Sequence, residues 1–140
     1  MAEIENHICF LLDVATRRLT KFYNRRLRDF GITYNHFFIL LCLWEREGMN
    51  VKEMAEQLCL DSSSLTGHLD RMERAGLVER QADPNDRRAI RIVLTDKGRD
   101  LQEQVTPIGN ALGEMLQEGV PQEQVMALAA ALRHISNRLE

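Results

Sequence analysis

The chain has 140 residues, 44% hydrophobic and 28% charged, which is one domain's length and excludes an intrinsically disordered protein. The longest apolar run, around Phe37–Leu43, falls far short of the roughly 20 residues a membrane span needs. The start is acidic and carries no basic, apolar leader, and three widely spaced cysteines (Cys9, Cys42, Cys59) fit a reducing cytoplasm better than a disulfide framework.

The net charge of −3 looks wrong for a nucleic-acid binder, but its distribution matters more than its sum. The segment 62–99 is net basic through Arg71, Arg74, Arg80, Arg87, Arg88, Arg91, Lys97 and Arg99. Most of the negative excess lies in residues 100–140. No Cys/His spacing suggests zinc, and His7, His36, His68 and His134 form no ligand set, so neither a metal nor a cofactor is expected.

In chain order, Ile4, Ile8, Leu11, Ala15, Leu19 and Phe22 share one face of a single helix over 4–30. Such a rod is about 40 Å long, more than a small domain can bury alone. Gly31 ends it. Thr33 caps a second helix at 34–46, whose Phe37, Phe38, Leu40, Leu41, Leu43 and Trp44 supply core. Asn50 and Glu53 make a capping box for a helix at 51–58, and Asp61 caps another at 62–75 that Gly76 closes. Leu77–Arg80 and Ile90–Leu94 are strand-like and flank the turn Asp83-Pro84-Asn85-Asp86, which predicts a hairpin with a charged tip. Thr95 caps a helix of about 96–118, in which Pro107 marks the place for a bend. Pro121 stands as the first residue of a last helix, where Val125, Leu128, Leu132, Ile135 and Leu139 make a heptad-like seam. Met115 and Met126 are expected in a core.

This order of elements is a winged helix-turn-helix, in a mainly α fold with a small β-hairpin wing. The helix at 51–58 braces the helix at 62–75, which is sized for a major groove. Met54, Ala55, Leu58, Leu60, Leu65, Leu69 and Met72 would fix their crossing. The outer face of the second helix offers Ser62, Ser63, Ser64, Thr66, His68, Arg71 and Arg74. Hydroxyls at a helix N-terminus suit phosphate, and Arg71 suits a guanine edge. Gly67 costs about 1 kcal/mol in mid-helix, which close approach to DNA would explain. In the hairpin, Asp86 is placed to hold Arg88 outstretched for a narrow minor groove, while Arg87 and Arg91 reach for phosphates. Taken singly, a Ser-rich helix is a solvated face and an Asp–Arg pair is a weak surface ion pair; it is their succession that points to double-stranded DNA.

Residues 83–98, DPNDRRAIRIVLTDKG, resemble the wing signature of MarR-type regulators, and 60–80, LDSSSLTGHLDRMERAGLVER, resembles their recognition helix and its exit. The resemblance implies one domain over 1–140, with 1–32 and 100–140 as dimerisation helices and 33–99 as the DNA-binding lobe. It implies a homodimer on a pseudo-palindromic operator, acting in transcription regulation as a repressor and not as an enzyme. Residues 6–37, NHICFLLDVATRRLTKFYNRRLRDFGITYNHF, are similar to the organic-hydroperoxide-sensing (OhrR-like) branch. There the cysteine matched by Cys9 is the sensor, and tyrosines matched by Tyr23 and Tyr34 bond to it across the dimer. Oxidation to a sulfenic acid, then condensation with a small thiol, would break those contacts and release DNA. Two departures stand out. Asp13 replaces a tyrosine common in that branch, and residues 60–140 hold no cysteine for a two-cysteine switch. Cys42 is expected in the core and Cys59 in a structural turn. The alternatives are a MarR-type repressor released by a small aromatic or phenolic ligand, an interaction protein on a degenerate winged helix, and a thiol peroxidase.

Overall fold

The computed structural model describes residues 3–140. The chain divides into two compact units, Met1–Val105 and Thr106–Glu140.

The first unit opens with a 3-10 turn at Ile4–Asn6, and then α1 runs over Ile8–Leu27. The single helix expected over 4–30 is therefore interrupted. His7 is extended at ψ 120° and its side chain makes no capping bond, so α1 starts after it. The last turn, Arg28–Phe30, tightens to 3-10, and Gly31 turns the chain at φ 69°. That positive φ is the conformation a glycine tolerates best.

Helix α2 spans Tyr34–Glu45. Thr33 and His36 bond reciprocally at its start: the Thr33 side chain accepts from the His36 backbone N–H, and His36 Nδ1 accepts from the Thr33 N–H at 3.2 Å. Helix α3, Val51–Leu58, is capped by Asn50, whose side chain accepts from the Glu53 N–H at 2.8 Å. Cys59 ends α3 at φ 52°. Helix α4, Ser62–Arg74, is capped by Asp61. Leu27, Ile39, Leu40, Leu43, Met54, Leu65, Leu69 and Met72 lose essentially all exposure and form the core that fixes these four helices. Phe38, expected in that core, is 38% exposed.

Strands β1 (Val78–Ala82) and β2 (Ile90–Leu94) pair antiparallel, with Val78 opposite Leu94 and Arg80 opposite Ile92. The first strand runs two residues beyond its expected end because Gln81 and Ala82 find partners in Arg91 and Ile90. The outer edge of β2 is covered as well. Ile92 donates to the Met49 carbonyl at 2.8 Å and accepts from the Gly48 N–H at 3.0 Å. Helix α5, Asp96–Gln117, begins where Trp44 donates to the Gly98 carbonyl at 3.0 Å. A Cβ at Gly98 would collide with the Leu77 carbonyl oxygen, so α5 meets the backbone just before β1 at a point only glycine allows.

The second unit holds the rest of α5, which continues helically through Pro107, and α6, Gln122–Arg138. Pro121 is the N-cap at ψ 143°, one place before the position expected of it. Helix α6 buries no residue. Met126, Leu128 and Leu139 are 64%, 58% and 80% exposed, and Met115 on α5 is 44% exposed. The expected core placement of Met115 and Met126 is thus not met within one chain, because an apolar seam needs a facing surface to bury it.

Among the described residues, no helix is long and apolar enough to cross a membrane, and no group of three or more His, Cys, Asp or Glu is arranged to hold a metal ion.

Candidate nucleic-acid interface

Helix α4 presents Ser62, Ser63, Ser64, Thr66, Arg71 and Arg74 to solvent, while Gly67 and His68 are half-buried. Its inward face is Leu65, Leu69 and Met72 at helical spacing, so the polar residues can only face outward. The three serines are not equivalent. The Asp61 carboxylate accepts from the Ser63 hydroxyl at 2.6 Å, the Ser64 hydroxyl at 2.9 Å and the Ser64 N–H at 2.7 Å. These bonds pull its pKa down to about 2. Two of the hydroxyls expected for phosphate are therefore committed to the cap. Ser62 and Thr66 face an open cleft of about 580 Å³, whose other walls include Lys52, Arg80, Asp86 and Arg88. The cleft brings the start of α4 and the hairpin tip to one side of the molecule.

The wing tip is built from two local turns. Asp83 accepts from the Asn85 N–H at 2.8 Å, and Asp86 accepts from the Arg88 N–H at 2.9 Å. The expected Asp86–Arg88 ion pair is replaced by this main-chain bond, which shapes the turn and leaves the guanidinium outside it. Among the described residues, Arg71, Arg74, Arg87 and Arg88 form no salt bridge. Arg91 is placed otherwise. It is half-buried and donates to Gln81 at 3.0 Å, so it braces the hairpin and does not reach outward with Arg87.

Two residues make contacts that no local sequence pattern signals. Arg80 bonds Asp70 at 2.8 Å and also pairs with Glu73, clamping β1 to α4 and masking two carboxylates on the outer helix. An arginine beyond a helix-ending glycine gives no local sign of that clamp. His36, which belongs to no ligand set by spacing, is 6% exposed. Its ring meets that of His68 edge-on, with centroids 5.6 Å apart and planes at 83°. Burial chiefly, then the neighbouring His68 and Arg71, lowers its pKa to about 4. Burial and Arg71 lower that of His68 too.

The thiol candidates separate clearly. Cys9 is exposed at the second position of α1. Tyr23 is buried further along the same helix, and its ring lies 4.9 Å from that of Tyr34 at the start of α2. Burial raises the pKa of both phenols, and at Tyr34 the Tyr23 charge adds to it, so both remain hydrogen-bond donors at neutral pH. Cys9 and Tyr23 are fourteen helical steps apart, about 21 Å along a rigid rod. One chain therefore cannot bring this thiol to this tyrosine pair. Asp13 pairs with Arg17 at 2.8 Å. Cys42 is buried, and burial and then Glu45 raise its pKa, which fits an inert core thiol.

A family model described as the MarR family matches residues 32–90. The chain is 43% identical over 131 residues to an organic hydroperoxide resistance transcriptional regulator of Bacillus subtilis (strain 168), covering 93% of this chain and 87% of that protein. Among solved structures it is similar to reduced AbfR bound to DNA, with TM-score 0.80, 29% identity and coverage of 98% of this chain and 94% of that one. The fold is also that of MepR of S. aureus, solved as a DNA complex, with TM-score 0.90 at 23% identity over 96% of this chain and 99% of the other.

Proposed function

The chain belongs to the MarR family of DNA-binding transcriptional regulators, and on that premise we propose that it is a homodimeric repressor that leaves its operator when Cys9 is oxidised by an organic hydroperoxide. The observation that carries the reading is the cleft between α4 and the wing, where Ser62, Thr66 and Arg88 line one open surface, on a helix that also exposes Arg71 and Arg74 with no carboxylate partner. Helix α4 enters a major groove with Arg71 toward base edges, and Arg88 enters the flanking minor groove. Arg87 and Arg74 contact phosphates, while Asp86 shapes the wing and Arg91 stiffens it. Residues 33–99 form the DNA-binding lobe. Residues 1–32 and 100–140 dimerise, which gives cover to the exposed Ile8 and Leu11 of α1 and the bare seam of α6.

The dimer also completes the sensor. Cys9 of one chain reaches the Tyr23–Tyr34 pair of the other, where the two phenols donate to the thiolate. That thiolate attacks a peroxide oxygen, so an S–O bond forms as the O–O bond breaks. The sulfur is oxidised by two electrons, and the alkoxide leaves and takes a proton to become an alcohol. The sulfenic acid then condenses with a small external thiol, forming a mixed disulfide and water. The enlarged side chain no longer fits between the phenols, and the two α4 helices lose the spacing that matches one duplex turn.

The relative from B. subtilis, whose name ties it to organic hydroperoxide resistance, supports this input. The test is an operator titration of wild type and Cys9→Ser, each with and without cumene hydroperoxide. Wild type should dissociate on oxidation and Cys9→Ser should stay bound. Equal release of both proteins would exclude Cys9 as the sensor and favour a bound aromatic ligand. Turnover of the hydroperoxide without DNA affinity would point to a peroxidase.

A further inference from the structure

His36 joins α2 to the outer helix. Its Nδ1 accepts from the Thr33 N–H, so the ring proton of the neutral form sits on Nε2. That Nε2 is buried and has no hydrogen-bond partner. The ring packs instead against that of His68, the two planes nearly perpendicular. His68 Nδ1 lies 3.2 Å from Arg71 Nη2. An arginine can only donate, so this nitrogen is the acceptor and His68 is likewise neutral. The guanidinium is drawn back over the helix at Gly67, where an added Cβ would stand 3.9 Å from the same Nη2 and meet nothing else. A continuous line of contacts thus runs from Thr33 at the start of α2, through the buried His36 and the half-buried His68, to the tip of Arg71.

We propose that His36 is a positioning residue for base recognition: it fixes the His68 ring, and His68 fixes the Arg71 guanidinium in the pose that addresses a base edge. The inference rests on the DNA-binding reading above. His68 acts here as a support for Arg71 and makes no base contact of its own. A free arginine must be ordered on binding, and an arginine already held loses less rotamer freedom at the same contact.

Two substitutions separate this role from a merely structural one. Gln is a usual partner at the third position of a capping box, so His36→Gln keeps the cap and removes the ring. His36→Phe keeps an aromatic ring against His68 and removes the bond from Thr33. The operator is first selected from a random-sequence duplex pool with the wild-type dimer. Affinities at fixed salt are then measured for every single base-pair change. Arg71→Ala should lose about tenfold discrimination at one base pair in each half-site, the size of one good arginine contact. His36→Gln should lose it at the same base pair, with affinity for unrelated DNA unchanged, and His36→Phe should retain it within about threefold of wild type. The double variant His36→Gln/Arg71→Ala should be no less selective than Arg71→Ala alone.

The proposal is overturned if His36→Gln discriminates like wild type while Arg71→Ala does not, or if its loss is spread evenly over all base pairs and unrelated DNA. It is also overturned, with operator binding left standing, if Arg71→Ala changes no base preference. A wild-type protein with no sequence preference would instead refute the DNA-binding reading itself.

Discussion

Replacing His36 should change how stability depends on pH, and the structure gives the size of the change. The buried ring titrates near pH 4, lowered from 6.5 first by burial and then by His68 and Arg71. The unfolded chain therefore binds more protons than the folded one between these values, and stability falls as pH falls through that window. Integrating the single-site linkage gives a loss of about 2 kcal/mol by pH 5 and about 3 kcal/mol by pH 4, nearly all of it absent at pH 7. His36→Gln has no ring to protonate, and it keeps every carboxylate that also titrates there. Urea unfolding of both proteins at one protein concentration, at pH 7, 6 and 5, isolates the histidine. The stability difference between wild type and variant should shift against wild type by about 2 kcal/mol from pH 7 to pH 5. Parallel curves would refute the reasoning, because they would mean that the ring is hydrated or already paired in solution.

Four further outcomes are expected. Gly98→Ala forces a Cβ against the Leu77 carbonyl and should destabilise the fold by about 1–3 kcal/mol or more, visible in a thermal melt. Arg80→Ala releases Asp70 and Glu73 on the outer face of α4. Exposure limits the stability cost to about 1 kcal/mol, but the freed negative charge should weaken DNA binding measured at low salt. Leu128→Asp places a carboxylate in the bare seam of α6, and light scattering should show a shift from dimer toward monomer. Arg87→Ala should weaken binding to all sequences alike and reduce the slope of log affinity against log salt by about 1 per chain.

Much of the architecture is local and is written in the chain. Thr33, Asn50 and Asp61 begin their helices where a cap is needed, because a short side-chain oxygen satisfies a free N–H two or three residues on. Leu65, Leu69 and Met72 recur at helical spacing, which by itself turns the serines and Arg71 outward. The charged wing is equally plain, since a Pro-Asn-Asp turn between two strand-like runs has few other solutions. Cys9, Tyr23 and Tyr34 could be singled out only through resemblance, and the 20-residue length of α1 then requires that a thiol and a tyrosine pair on one chain stay apart.

Tertiary structure decided what depends on partners distant in sequence. Gln81 and Ala82 became strand because Arg91 and Ile90 stood opposite them. Residues 48–50 covered the far edge of β2, Arg80 reached back to Asp70 and Glu73, and His36 found His68 across two helices. The Asp61 cap also drew in the Ser63 and Ser64 hydroxyls, a choice among competing acceptors that a linear pattern cannot rank. Caps and periodicity act over a single turn and can be read along the chain. A pairing between remote side chains exists only once the core has brought their backbones together, and its energy belongs to that geometry.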